Sequence, residues 1–169
     1  VDLRNSDDGH LFLKIRDDSG GVVSVPVFNR IRRDLGEPVE LLDFVQVRGE
    51  VKLYHDELEV VPSEPTDIKV VHTAPASVAD ISADNVGNPV KVQGVVVDRS
   101  IVGNGHLLLV LGENGSKLTV FVPGWIAGNG FPSVDIGDVV RAAGWLQFYN
   151  DALELKITSP GCVQLVEGG

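Results

Sequence analysis

Hydrophobic and polar positions alternate along much of the chain. Leu11, Leu13 and Ile15 are separated by Phe12, Lys14 and Arg16, a period of two that predicts a strand with one buried face. The run Asp17-Asp18-Ser19-Gly20-Gly21 reads as a hairpin loop, because Gly and Asp tolerate the backbone angles such loops need. Val23, Val25 and Val27 then form the next inward face. Asn29 to Leu35 is the short helix of this half, with Asn29 expected as its N-cap and Gly36 as its stop. Two strands follow, at about 44–54 and 57–61, joined by the turn His55-Asp56. Gly49, in mid-strand, marks the bend at which a small barrel closes.

This pattern occurs twice. Residues 43–61 align without gaps on 138–156, and seven of the nineteen pairs are identical, including Asp43/Asp138, Gly49/Gly144 and Tyr54/Tyr149. The same offset of 95 pairs Val25 with Val120 and Ile31 with Ile126, and a one-residue shift aligns Gly9-His10-Leu11 with Gly105-His106-Leu107. A period this long is a whole domain rather than a solenoid repeat. The second copy is expected to have strands near 90–98, 106–111, 117–122, 139–149 and 152–157, with a Gly-rich connection (124–137) in the helix position. Inward positions expected to build the cores are Leu11, Leu13, Ile15, Val25, Val45, Val47 and Leu58, then Leu107, Leu109, Val120, Val140, Leu146 and Leu153.

Five strands with a helix or loop between the third and fourth is the order of the OB-fold. The stretches GHLFLKIRDDSGGVVSVPVF and DFVQVRGEVKLYHDELEVVP, and their counterparts GHLLLVLGENGSKLTVFV and DVVRAAGWLQFYNDALEL, resemble OB domains of the anticodon-binding and replication-protein-A type. The resemblance implies an all-β chain of two tandem five-stranded OB-type barrels: residues 1–71, a linker at 72–89 with a helical turn around 77–86, and residues 90–169. It also implies a module that binds single-stranded DNA or RNA as an accessory part of a larger nucleic-acid-processing protein. Val1 and Asp2 align with Val97 and Asp98, so the first barrel is expected to lack the opening half of its first strand. With no Met and a start inside a strand, the sequence reads as a segment of a longer polypeptide, whose remainder is one expected partner.

Charge changes this picture. The net charge is −10, and residues 1–71 carry nine Lys/Arg against fifteen Asp/Glu. Nucleic-acid affinity depends on cations that neutralise phosphates, so here they must be gathered on one face. The cluster that meets this need is Phe12, Lys14 and Arg16 on the outward side of the second strand, with Tyr54 at the four–five turn and Arg48 and Lys52 on strand four. Arg48 and Lys52 stand on a strand that neighbours the first strand, which sets them apart from the other four. The alternative is that these charges are merely a solvated face.

In the second copy the outward positions are apolar or aromatic: Leu108, Phe121, Trp145 and Tyr149. That face suits a protein partner, so a protein-interaction module with an acidic surface stands as the alternative function. Arg30, Arg32 and Arg33 would spread around a short helix and read as ion-paired surface. Enzymatic patterns are lacking, and Asp7, Asp8 and His10 are not repeated around His106, so no catalytic residue, metal or cofactor is expected. The single Cys162 allows no intrachain disulfide and assigns no compartment. No apolar run nears the roughly 20 residues of a membrane helix.

Overall fold

The computed structural model describes residues 2–17, 19–158 and 160–166, and the chain divides into two compact units, 1–73 and 74–169. The architecture is all-β and OB-like.

The first unit holds β1 (Asp2–Asn5), β2 (Leu11–Arg16), β3 (Val22–Val27), α1 (Asn29–Arg32), β4 (Phe44–Val47), β5 (Glu50–Tyr54), β6 (Glu57–Val61) and β7 (Ile68–Val71). A five-stranded sheet runs β1-β2-β3-β6-β5, and β4 pairs with β7 in a second sheet. The expected strand 44–54 therefore breaks at Arg48-Gly49, where the chain passes from one sheet to the other. A Cβ on Gly49 would collide with the Val61 carbonyl, which is why glycine stands there. The β5–β6 turn places His55 and Asp56 at φ 47° and 63°, the left-handed pair of a two-residue hairpin.

Period two is kept where it was read most clearly. Leu11, Leu13, Val25 and Val27 are buried, and they pack with Ile31 of α1, Val39 and Ile68. Ile15, Val45 and Val47 are half-buried against this cluster. Leu58 is not core: it is 58% exposed, because the β5–β6 hairpin projects past the end of the packed interior. The helix is shorter than expected and its cap differs. Phe28 occupies the N-cap position without a side-chain bond, and the Asn29 N–H donates to His10 Nδ1 at 2.9 Å. An acceptor from β2's start thus replaces a capping side chain.

The second unit holds β8 (Ala76–Ser77), β9 (Pro89–Val102), β10 (His106–Glu113), β11 (Ser116–Val122), α2 (Gly124–Ala127), β12 (Val139–Tyr149), β13 (Ala152–Lys156) and β14 (Val163–Leu165). Its strands run β14-β12-β13-β11-β10-β9-β8, and an additional β12–β9 pairing closes the barrel. Leu107, Leu109, Val120, Val140 and Leu146 are buried as expected, with Leu155 and Ile157; Leu153 is half-buried. The stretch read as a linker carries structure. Ala76 and Ser77 pair with Val92 and Gln93, short 3-10 turns span Val78–Asp80 and Ala83–Asn85, and Val78 is 3% exposed.

Pairings recur at the offset of 95, with the one-residue shift in the second strand. Leu13 faces Val25 as Leu109 faces Val120, Ser24 pairs with Glu59 as Thr119 with Glu154, and Val45 with Val70 as Val140 with Leu165. The strands β7 and β14, absent from the sequence reading of each copy, complete this correspondence.

Candidate nucleic-acid interface

In the first unit, β2 carries Phe12, Lys14 and Arg16 on the side away from the core. Phe12 is half-buried and the two cations are exposed. Opposite Phe12 in the β1–β2 ladder stands Arg4, whose guanidinium carbon lies 5.2 Å from the Phe12 ring centroid. The β5–β6 turn brings Tyr54 and His55, with rings edge-on at 4.2 Å. Phe12, Lys14 and Tyr54 line one concavity of 610 Å³, and Arg4, His55 and Ser24 line it with them. Glu57 and Glu59 also border it, so its cationic part is confined to the β1–β2 side.

Three of the six residues singled out from the sequence do not line this concavity. Arg16 stands exposed at the end of β2, opposite Val22. Arg48 binds Asp67 at 3.2 Å, and Lys52 lies 3.3 Å from Glu50. Sequence reasoning missed Arg4 and His55. The Asp7-Asp8-Gly9 turn signalled a β1–β2 hairpin, and a hairpin about that turn sets Arg4 against Phe12.

Electrostatics in this unit are local. Backbone N–H donation from Ser63, then the Arg48 hydrogen bond, holds the Asp67 carboxyl below the ordinary aspartate value of 3.8. Asp17 is lowered likewise, first by the Ser19 hydroxyl and then by the Gly21 N–H, which fixes the β2–β3 loop. Glu40, Asp43 and His72 are the one group among the described residues whose potential metal-ligand atoms cluster, within 4.8 Å. Asp43 is occupied there structurally: it accepts from the Glu40 and Thr73 N–H groups and contacts His72 Nδ1 at 2.8 Å. His10 and His106 are also structural, since His106 Nδ1 accepts the Gly124 N–H at 2.9 Å as His10 Nδ1 accepts that of Asn29.

The second unit has a different outer face. Leu108 pairs with Phe121, Phe121 with Lys156, and Lys156 with Trp145, which makes one row across four strands. Leu108 and Phe121 are half-buried, Trp145 is 41% exposed, and the His106 ring lies 5.1 Å from that of Phe121. Tyr149 stands apart at the hairpin end, opposite Ala152.

These features define an OB-like β protein with an aromatic–cationic groove on one unit and, on the other, an apolar and aromatic row in which Lys156 stands between Phe121 and Trp145. Among solved structures the chain is similar to the tetrameric p202 HIN2, with 14% identity and a TM-score of 0.57 over 98% of this chain and 88% of that one. It is also similar to the p204 HINb domain, with 13% identity and a TM-score of 0.54 over 95% and 86%. At this identity the likeness is one of fold. No protein-family model matches the sequence, and no curated protein does.

Proposed function

We propose that the chain is a tandem OB module that binds single-stranded DNA or RNA through the first unit's groove, as a non-enzymatic accessory part of a larger nucleic-acid-processing protein. The observation that carries this reading is the convergence of Phe12, Tyr54, Arg4 and Lys14 on one concavity. A single strand needs flat surfaces for its bases and cations beside its backbone, and each stacked base is worth roughly 1–3 kcal/mol. Phe12 and Tyr54 supply the surfaces. Arg4 lies over Phe12, where its planar group extends the stack or yields to a base. The recurrence of strand pairings at an offset of 95, or 96 in the second strand, supports the duplication.

With a net charge of −10, attraction at long range is unfavourable and binding depends on these few contacts. Two phosphate contacts, at Arg4 and Lys14, correspond to a slope of roughly −1.4 in log affinity against log salt. Titration of a fluorescent oligonucleotide at low and moderate salt tests this, with Phe12→Ala and Lys14→Glu as variants. Loss of affinity in both supports the reading; no binding at low salt, or affinity untouched by both, overturns it. The row Leu108–Phe121–Trp145 favours a second reading in which that face takes a protein partner, and binding abolished by Trp145→Ala alone would favour the second unit.

A further inference from the structure

The groove of the first unit carries unneutralised charge of both signs. Lys14 pairs with Ser24 across β2–β3, Ser24 with Glu59 across β3–β6, and Glu59 with Lys52 across β5–β6. Lys14 and Glu59 therefore stand two strands apart, roughly 10 Å, and both line the concavity. Among the described residues Lys14, Glu57 and Glu59 take part in no ion pair. The second unit repeats the row with its carboxylate satisfied. Thr119 pairs with Glu154 and Glu154 with Gln147, at the positions of Ser24, Glu59 and Lys52. There the Gln147 amide donates to Glu154 at 2.9 Å, and Glu154 is 7% exposed. Glu59 is half-buried and has no such NH₂ donor, because Lys52 turns to Glu50 at 3.3 Å.

A half-buried carboxylate without a donor favours a ligand that brings one. Glu57 stands directly opposite Tyr54 in the β5–β6 ladder, so both carboxylates border the surfaces on which bases would stack. We propose that the groove selects guanine within a single strand: Arg4 and Lys14 hold the backbone phosphates, Phe12 and Tyr54 take the base plane, and Glu59, with Glu57 beside it, accepts from the base edge. Guanine presents two adjacent donors on its Watson–Crick edge, N1–H and the 2-amino group, which one carboxylate takes in parallel. Adenine and cytosine offer one amino group next to an acceptor nitrogen. Thymine and uracil flank a single N–H with two carbonyls, whose oxygens the carboxylates repel. The second unit lacks the arrangement, since Val110 and Ala152 replace Lys14 and Glu57. This inference rests on the proposed binding of a single strand in the same groove.

The test is titration of the full chain with fluorescent oligonucleotides: an all-thymine strand, and the same strand with one central guanine or one central hypoxanthine, which lacks the 2-amino group. The guanine strand is expected to bind about tenfold more tightly than the all-thymine strand, as one bidentate base contact gives, with hypoxanthine between them. A uracil RNA with one guanine is expected to show the same preference over plain uracil RNA, because the base edge and not the sugar sets it. In the double variant Glu57→Thr/Glu59→Thr, which keeps strand-forming residues, the preference disappears. The all-thymine strand then binds more tightly, because two charges that repel its phosphates are gone. Equal affinity of wild type for the three DNA strands, a preference confined to one sugar type, or a preference that survives in the double variant overturns the inference. If binding in those cases still falls with Phe12→Ala, the groove remains a single-strand site without base selection. No binding of any strand at low salt overturns both.

Discussion

Leu146 and Val51 occupy equivalent positions in the two units and meet opposite surroundings, so they make a controlled pair. Leu146 sits at 1% exposure, and truncation to Ala removes three buried carbons and leaves a cavity in a closed barrel. Fully buried Leu→Ala changes cost about 2–5 kcal/mol. Val51 is 65% exposed, so its truncation removes little buried area and stays within about 0.5 kcal/mol. Both tryptophans, Trp125 and Trp145, lie in the second unit, so their fluorescence follows that unit while far-ultraviolet circular dichroism follows both. With a urea slope near 1.5 kcal/mol/M, a loss of about 3 kcal/mol lowers the midpoint by about 2 M. Leu146→Ala is expected to move the tryptophan transition by that order. Val51→Ala should leave it in place and shift the dichroism curve by no more than about 0.3 M. Equal shifts in the two variants, or a shift under about 0.5 M for Leu146→Ala, would refute the assignment of Leu146 to the core and of Val51 to the surface.

Other expectations follow from the same contacts. His106→Ala deprives the Gly124 N–H of its acceptor and should cost about 1–2 kcal/mol, seen as a lower Tm and faster exchange of the Gly124 amide. Asp67 has a folded-state pKa below its ordinary value, so its stabilisation is complete above about 3.8 and disappears as pH falls through the lowered value. The Tm gap between wild type and Asp67→Asn should therefore be present at neutral pH and close on acidification below 3.8; a gap that persists in strong acid would contradict the assignment.

The sequence made the strands legible where local chemistry settles them. Alternation placed Leu11, Leu13 and Val25 inside, and the turn pairs His55-Asp56 and Asn150-Asp151 took left-handed angles at both hairpins. Where burial depends on partners distant in the chain, pattern was insufficient. Leu58 has the correct phase but overhangs the interior, and no local signal says where a barrel ends. Strand four appeared continuous although it is shared between two sheets, and the close approach at Gly49 does not mark the break, since Gly144 meets the Lys156 carbonyl as closely within an unbroken β12. At the candidate interface, Phe12, Lys14 and Tyr54 were identified from alternation and turn position. Arg4 and His55 required the cross-strand register and the turn's geometry. Arg48 does point outward, with its side chain 79% exposed, and its pairing with Asp67 depends on the loop that enters β7.

Where a bound single strand lies is reported directly by an oligonucleotide carrying photoreactive 4-thiothymine, cross-linked to the chain and mapped by mass spectrometry. The prediction is cross-links on the peptides that carry Phe12 and Tyr54-His55, lost when Phe12 and Tyr54 are both replaced by Ala. Cross-links confined to Phe121 and Trp145, or none at low salt, would contradict it.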